Sequence, residues 1–232
     1  MYDRSAELYD AIYSFKNYEE EATKLNQIIQ KRKRSSGNDL LEVACGTGNH
    51  VTYLKSHYAV EGLDINERML RIARKKHPDI VFHRGDMVSF KLNKQFDAIT
   101  CLFSAIGHLK TKRKLGLAIR NMSRHLKPGG VLIVEPWFTP QQWHRRSVHA
   151  NFVDKPELKI ARMNISKARG RLSVMDMHHL VATPKRVEHF VERLELGLFT
   201  KDEYLDAFRG ANLETTYDPE GIMGRGLYIG TH

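Results

Sequence analysis

The sequence predicts an α/β chain with a Rossmann-like, mostly parallel sheet of seven strands and a small antiparallel insertion after the fifth. Three observations predict it. Short apolar runs alternate with helix-compatible segments as far as Val134, the rhythm of strand–helix–strand units whose sheet is covered on both faces. The first run ends in Ala44-Cys45-Gly46-Thr47-Gly48, a tight turn where glycine lets the backbone approach a ligand. From Lys159 to Leu198 helical spacing disappears and alternation replaces it, as in antiparallel strands.

Each element follows from local signals. Leu8, Ile12 and Phe15 fall at helical spacing, and a helix is expected from Tyr18 to Lys33 with Ala22, Leu25, Ile28 and Ile29 on one face. Ser35 to Asp39 is a loop by composition. The first strand then runs to Ala44 and is followed by a helix over Asn49–Ser56. Ala59 to Leu63 is the second strand, and Asn66 caps a helix to Lys76 that Pro78 cannot interrupt. Ile80–Phe82 and Phe96–Leu102 are the third and fourth strands, and Lys112–Leu126 is a helix. Pro128-Gly129-Gly130 reads as a sharp turn before a fifth strand, Val131–Val134. The insertion is expected to hold three strands, Ile160–Ser166, Leu172–Val181 and Val187–Leu196, turning at Gly170 and Pro184. Thr200 caps a helix through Phe208, and Leu213–Tyr217 and Leu227–Thr231 close the sheet. The expected organisation is a core over 1–136 with an N-terminal helical cap, an inserted subdomain over 137–198 and a completing segment over 199–232.

Composition bounds the function. A chain of 232 residues with 41% hydrophobic content can bury a core. No apolar run is long enough to span a bilayer, so no membrane partner is expected, and the N-terminus lacks the layout of a signal peptide. Two cysteines, Cys45 and Cys101, make no disulfide framework, and a cytoplasmic setting is expected. A net charge of +10 attracts anions, either nucleic acid or a phosphorylated or nucleotide-linked small molecule. The run Lys31-Arg32-Lys33-Arg34 reads as a solvated helix end favoured by the helix dipole. No metal is expected: there is no His-Glu-x-x-His and no paired Cys-x-x-Cys, and His178 and His179 point to opposite faces of a strand.

The chemistry gathers around the glycine turn. Gly46 and Gly48 match the first two glycines of a dinucleotide fingerprint, but Val51 stands at the third. Acidic Glu42 lies inside the strand, before the turn. A nicotinamide or flavin is the competing ligand on this stretch alone. Asp64, ending the second strand, is placed to accept from ribose hydroxyls. Asp86, after the third, is suited to an adenine amino group, with Met87 as a flexible apolar cover. The fourth strand leads into Leu102-Phe103-Ser104-Ala105-Ile106-Gly107-His108-Leu109, across the sheet edge from that ligand. His108 there is a candidate proton acceptor or orienting group. The segment is not the [Asp/Asn]-Pro-Pro-[Tyr/Phe] sequence of many base amino-methyltransferases, which argues against a nucleic-acid substrate. Ser104 lacks the Gly-x-Ser-x-Gly setting of a hydrolase nucleophile.

Glu42-Val43-Ala44-Cys45-Gly46-Thr47-Gly48 resembles the first motif of class I S-adenosylmethionine-dependent methyltransferases. With Ala6-Glu-Leu-Tyr-Asp10, Gly85-Asp86-Met87, Phe103-Ser104, Gly107-His108-Leu109, Pro128-Gly129-Gly130, Glu135-Pro136-Trp137 and Gly224-Arg225-Gly226-Leu227, the chain resembles the nucleotide-linked amino-sugar N,N-dimethyltransferases almost end to end. The resemblance implies the class I methyltransferase sheet and S-adenosylmethionine as donor. The donor site is expected to draw on Tyr9, Tyr18, Glu42, Ala44, Gly46, Gly48, Asp64, Ile65, Met69, Asp86, Met87 and Leu102. Ser104, His108, Trp137, Gln141, Trp143 and Arg225 would face the acceptor, with Tyr2 and His108 as catalytic candidates and Arg225 as a diphosphate clamp. The implied partner is a small-molecule acceptor, best read as the amine of a nucleotide-linked amino sugar, and a homodimer through the inserted strands is expected. Competing readings are another small amine or hydroxyl, RNA or protein as acceptor, or a non-catalytic S-adenosylmethionine-binding protein. Ala168 stands where that family leads one to expect a polar residue, and the chain is richer in lysine.

Overall fold

The computed structural model describes residues 4–232. A 3-10 turn (Ala6–Leu8), α1 (Tyr9–Ile12) and α2 (Tyr18–Arg32) precede the sheet. Then follow β1 (Asp39–Val43), α3 (Val51–Leu54), β2 (Ala59–Asp64), α4 (Glu67–Lys76), β3 (Val81–Arg84) and β4 (Phe96–Cys101). A 3-10 turn (Ala105–Leu109), α5 (Lys112–Arg124) and β5 (Leu126–Val134) complete the alternating part. The insertion holds β6 (Val148–Lys155), β7 (Leu158–Ile165), β8 (Lys167–Arg169), β9 (Leu172–Thr183) and β10 (Arg186–Gly197). The chain closes with α6 (Lys201–Arg209), β11 (Glu214–Asp218) and β12 (Leu227–Thr231).

The seven-stranded sheet has the order β11-β12-β5-β4-β1-β2-β3. Strands β1 to β5 run parallel, while β12 and β11 are antiparallel additions at one edge. Alternation along each central strand splits the core into two layers. Leu41, Val43, Leu132 and Val134 pack with α5 and α6, whereas Leu40, Val131 and Ile133 pack with α2, α3 and α4. Burial on both faces explains why these strands read as continuous apolar runs. Chain order reverses between β1 and β4, so the loops after them diverge and leave a crevice at the carboxyl edge.

Side chains set the helix starts. Asn17, Asn66, Thr111 and Thr200 each accept a backbone N–H of the first turn, and Thr200 with Glu203 forms a capping box.

Three expectations are corrected. The insertion is a five-stranded sheet, not three strands. Strand β6 was missed because it is an edge strand exposed at nearly every position, so no buried face imposes alternation. Pro128-Gly129-Gly130 is not a turn between elements but an irregularity inside β5: Phe96 pairs Leu126 while Ala98 pairs Val131. Gly129, at φ 76°, takes up the surplus residues. The helix after the glycine turn is also shorter than Asn49–Ser56, with α-helical residues only from Val51 to Leu54.

Candidate active site

The crevice opens into a cleft of about 1040 Å³ lined from both sheets. Its floor is the turn after β1. Ala44 (φ 59°) and Gly46 (φ 56°) both hold left-handed backbone, and a Cβ on Gly46 would meet nothing within 4 Å, only the space of the cleft. Asp64, buried at the end of β2, accepts from Gly46 N–H at 2.9 Å and from Asn66 N–H at 2.8 Å. It therefore ties the turn to the start of α4. Burial raises the Asp64 pKa, and these backbone donors offset part of the rise. Ile65, Met69, Asp86, Met87 and Leu102 surround the same compartment.

Beneath the floor runs a buried charge chain. Lys16 Nζ pairs with Glu21 at 2.8 Å. The His50 imidazole lies between Glu21, at 2.8 Å, and Glu42, at 3.2 Å. Burial opposes its charge, but the two carboxylates outweigh that and raise its pKa to about 9. His50 is thus an imidazolium near neutral pH. Glu42 Oε2 is buried with no hydrogen-bond partner among the described residues.

The opposite wall begins at β4. Phe103 (φ 50°) and Ser104 (φ 59°) are consecutive left-handed residues, a conformation costing about 1–3 kcal/mol at each. Neighbours hold it. Phe103 N–H donates to Glu135 at 2.6 Å, and Ser104 Oγ donates to the Pro136 carbonyl at 2.6 Å. Arg225 Nη1 donates to Ser104 Oγ at 2.9 Å. The guanidinium sits 5.3 Å from the ring centre of Trp137, 5.4 Å from Phe138 and 5.7 Å from Phe103. Burial raises the pKa of Glu135, and Arg225 opposes the rise.

His108 lines the cleft beside this wall. Burial, with Lys110 nearby, lowers its pKa to about 4, so the ring is neutral near pH 7. The insertion closes the far side with Asn164, Ser166, Met175, Met177, Leu194 and Leu196.

Residues 40–130 match the family model described as a methyltransferase domain. The chain is 38% identical over 229 residues to the dTDP-3-amino-3,6-dideoxy-alpha-D-glucopyranose N,N-dimethyltransferase of Streptomyces fradiae, covering 97% of this chain and 89% of that protein. The crystal structure of Streptomyces venezuelae DesVI superposes with a TM-score of 0.92 at 38% identity, covering 97% of both chains. The chain belongs to the dTDP-amino-sugar N,N-dimethyltransferase family. It is a class I S-adenosylmethionine-dependent methyltransferase. A further solved relative, the S-adenosylmethionine-bound amino pentose methyltransferase CalS10 from Micromonospora echinaspora, has a TM-score of 0.88 at 36% identity, covering 97% of this chain and 96% of that one.

The residues of this methyltransferase fit its donor. The open cradle at Gly46 leaves room for backbone contact with the donor. Of the residues expected from sequence, Tyr9, Ala44, Gly46, Asp64, Ile65, Met69, Asp86, Met87 and Leu102 line the cleft on the donor side. Ser104, His108, Trp137, Trp143 and Arg225 line it opposite. Tyr18, Glu42, Gly48 and Gln141 are not among the lining residues. Tyr18 stands edge-on to His50 at 5.0 Å, within the buried charge chain. A Cβ on Gly48 would lie 3.2 Å from the His77 ring. Gln141 is exposed in the turn beyond Thr139. Tyr2 lies outside the described residues.

Sequence reasoning missed Phe138, Arg162 and Asn164. Arg162 Nη1 donates to the Tyr13 hydroxyl at 3.0 Å, joining the insertion to the N-terminal cap. Asn164 is 9% exposed, and its Nδ2 has no partner among the described residues. Alternation placed Asn164 and Arg162 on one face of β7, but only the packing reveals that this face is the inner one.

Proposed function

We propose that the chain transfers the methyl group of S-adenosylmethionine to the amine of a nucleotide-linked amino sugar. The observation that carries this reading is the second compartment of the cleft. A cleft of about 1040 Å³ exceeds what a single drug-sized ligand usually occupies. Beyond the donor cradle it presents a guanidinium among three aromatic rings, a setting that suits phosphate oxygens and a planar base. The named relatives act on dTDP-linked amino sugars, which supports the same acceptor class here. The segment 137–198 serves, in this reading, as an inserted subdomain that walls the acceptor.

S-adenosylmethionine supplies an already activated sulfonium methyl when bound. The residues of the chain position the reactants. Gly46 and Asp64 hold the nucleoside end, Arg225 and the aromatic rings hold the acceptor, and the amine lone pair is brought in line with the methyl. Orientation of this kind supplies several kcal/mol of the barrier reduction, up to about 7–11 kcal/mol in well-aligned systems. His108, neutral in its buried setting, accepts a hydrogen bond from the amine N–H and fixes the lone pair. The methylated ammonium then loses its proton to solvent.

Release of S-adenosylhomocysteine against a panel of acceptors tests the reading: turnover is expected with dTDP-linked amino sugars and not with tRNA. Turnover on tRNA alone, with steep salt dependence, would overturn it. Replacing His108 by asparagine is expected to lower kcat roughly 10- to 100-fold while leaving the acid limb of the pH–rate profile in place, because that limb belongs to the acceptor amine. Disappearance of the limb in His108→Asn would make His108 the titrating base instead.

The outer face of the inserted sheet supports a homodimer. Val148, Phe152, Ile165, Leu180, Val187 and Val191 are all exposed on it, more apolar surface than an isolated chain commonly leaves to water, and a second copy offers the matching face. Sedimentation is expected to give a dimer that Phe152→Glu converts to monomer; a monomeric wild-type chain would exclude this contact.

A further inference from the structure

We propose that His178 and His189 form a two-point chelate for a divalent transition-metal ion of the zinc type. The two residues lie on neighbouring antiparallel strands, in a register where His178 faces Val191 and His189 faces Leu180. They are therefore diagonal neighbours, and both are exposed on the outer face of the inserted sheet. Nδ1 of His178 is 3.3 Å from Nε2 of His189. The rings are nearly parallel, with centroids 5.5 Å apart and planes 19° apart. Two imidazole nitrogens bound to one tetrahedral zinc, each at its usual bond length, stand about 3.3–3.4 Å from each other. The pair already has that separation.

Two rings on a strand pair also start with little freedom to lose. The long β9–β10 ladder fixes the backbone and so the direction in which each side chain leaves it. Neighbouring groups do not compete for the ion. The Asp176 carboxylate on the same face is engaged by Arg193 at 2.7 Å and Lys167 at 3.0 Å. His179, next in sequence, is turned inward and stacked on Phe190 at 4.6 Å.

Binding needs the two facing nitrogens bare. In the free protein a ring N–H of one histidine donates to the other, so on binding that ring moves its proton to its outer nitrogen. Acid competes for the same nitrogens and weakens the site. No group of three or more metal-binding side chains occurs among the described residues, so water completes the shell. Metal preference then follows the Irving–Williams order, copper(II) above nickel(II) and zinc(II). The site lies on the face away from the cleft, beside Leu180 and Val191 of the proposed dimer contact, so it is read in the Phe152→Glu chain as well as in wild type; it does not depend on the acceptor proposed above.

Zinc chloride titrated calorimetrically into the full, tag-free chain tests the proposal. Saturable binding is expected in wild type. His178→Asn and His189→Asn, each with an unchanged circular dichroism spectrum and unchanged methyl transfer, are expected to bind roughly 10- to 100-fold more weakly. His57→Asn, at another exposed histidine, is expected to match wild type. Absence of a saturable site in both wild type and Phe152→Glu would overturn the proposal, as would identical isotherms for wild type and both paired-histidine variants.

Discussion

Gly46→Val is expected to abolish binding of S-adenosylhomocysteine while the chain still folds. Two effects act together. Gly46 sits at φ 56°, a conformation that costs a β-branched residue on the order of 1–3 kcal/mol. The added side chain also projects into the donor cradle, since nothing else lies within 4 Å of a Cβ there. Loss of roughly 3 kcal/mol of donor affinity corresponds to more than a hundredfold rise in Kd. Calorimetry with S-adenosylhomocysteine, beside a thermal melt, measures both terms. Gly48→Val is the contrasting variant. Its Cβ would press on His77 at 3.2 Å, so its melting temperature is expected to fall through packing. A folded Gly46→Val chain with wild-type donor affinity would refute the assignment of this turn as the donor cradle.

Arg225→Ala is expected to separate the two ligands. Donor affinity stays at the wild-type level, and kcat/KM for the nucleotide-sugar acceptor falls about 100-fold. That factor corresponds to the roughly 1.5–3 kcal/mol of a charge-assisted hydrogen bond plus a cation–π contribution from the surrounding aromatic rings. Truncation also removes the donor to Ser104 Oγ at 2.9 Å, but Ser104 keeps its bond to the Pro136 carbonyl at 2.6 Å, so the wall itself remains. Lysine at this position restores charge without the planar fork, and Arg225→Lys is expected to recover only part of the loss. Steady-state kinetics with donor and acceptor varied separately reads the outcome. An equal loss of donor affinity, or no change in acceptor KM, would remove Arg225 from the acceptor site.

Much of the donor half was legible in the chain because it is local. The glycine turn, Asp64 and Asp86 each sit at the end of a strand, and strand ends can be read from apolar runs and their punctuation. The parallel topology then brings those ends to one edge, whatever the details of packing. Even so, Tyr18, Glu42 and Gly48, named for the donor from sequence, are not among the residues that line the cleft. A Cβ on Gly48 would lie 3.2 Å from the His77 ring, and Tyr18 stands edge-on to His50. Spacing alone does not distinguish a residue that touches the ligand from one that holds the residue that does.

The acceptor half was legible only in part. His108 was legible from its place after the fourth strand, Ser104, Trp137 and Arg225 came from resemblance, and all four line the cleft. Arg162 and Asn164 escaped because an exposed-looking alternation on β7 does not say which side faces inward. Strand β6 escaped because an edge strand carries no buried pattern at all. The histidine pair shows the same division. Alternation said that His178 and His179 point apart, and the structure agrees. That His178 meets His189 depends on the register of β9 against β10.

By itself, then, the sequence determined the class of sheet, the donor turn and the identity of the residues at the strand ends, since these rest on period, punctuation and motif within short windows. The tertiary structure alone decided the left-handed pair at Phe103 and Ser104, the clamp that joins Arg225 to Ser104 across the fold, and the inward face of the insertion. Those depend on contacts between residues distant in the chain, and no local preference encodes which distant side chain will arrive.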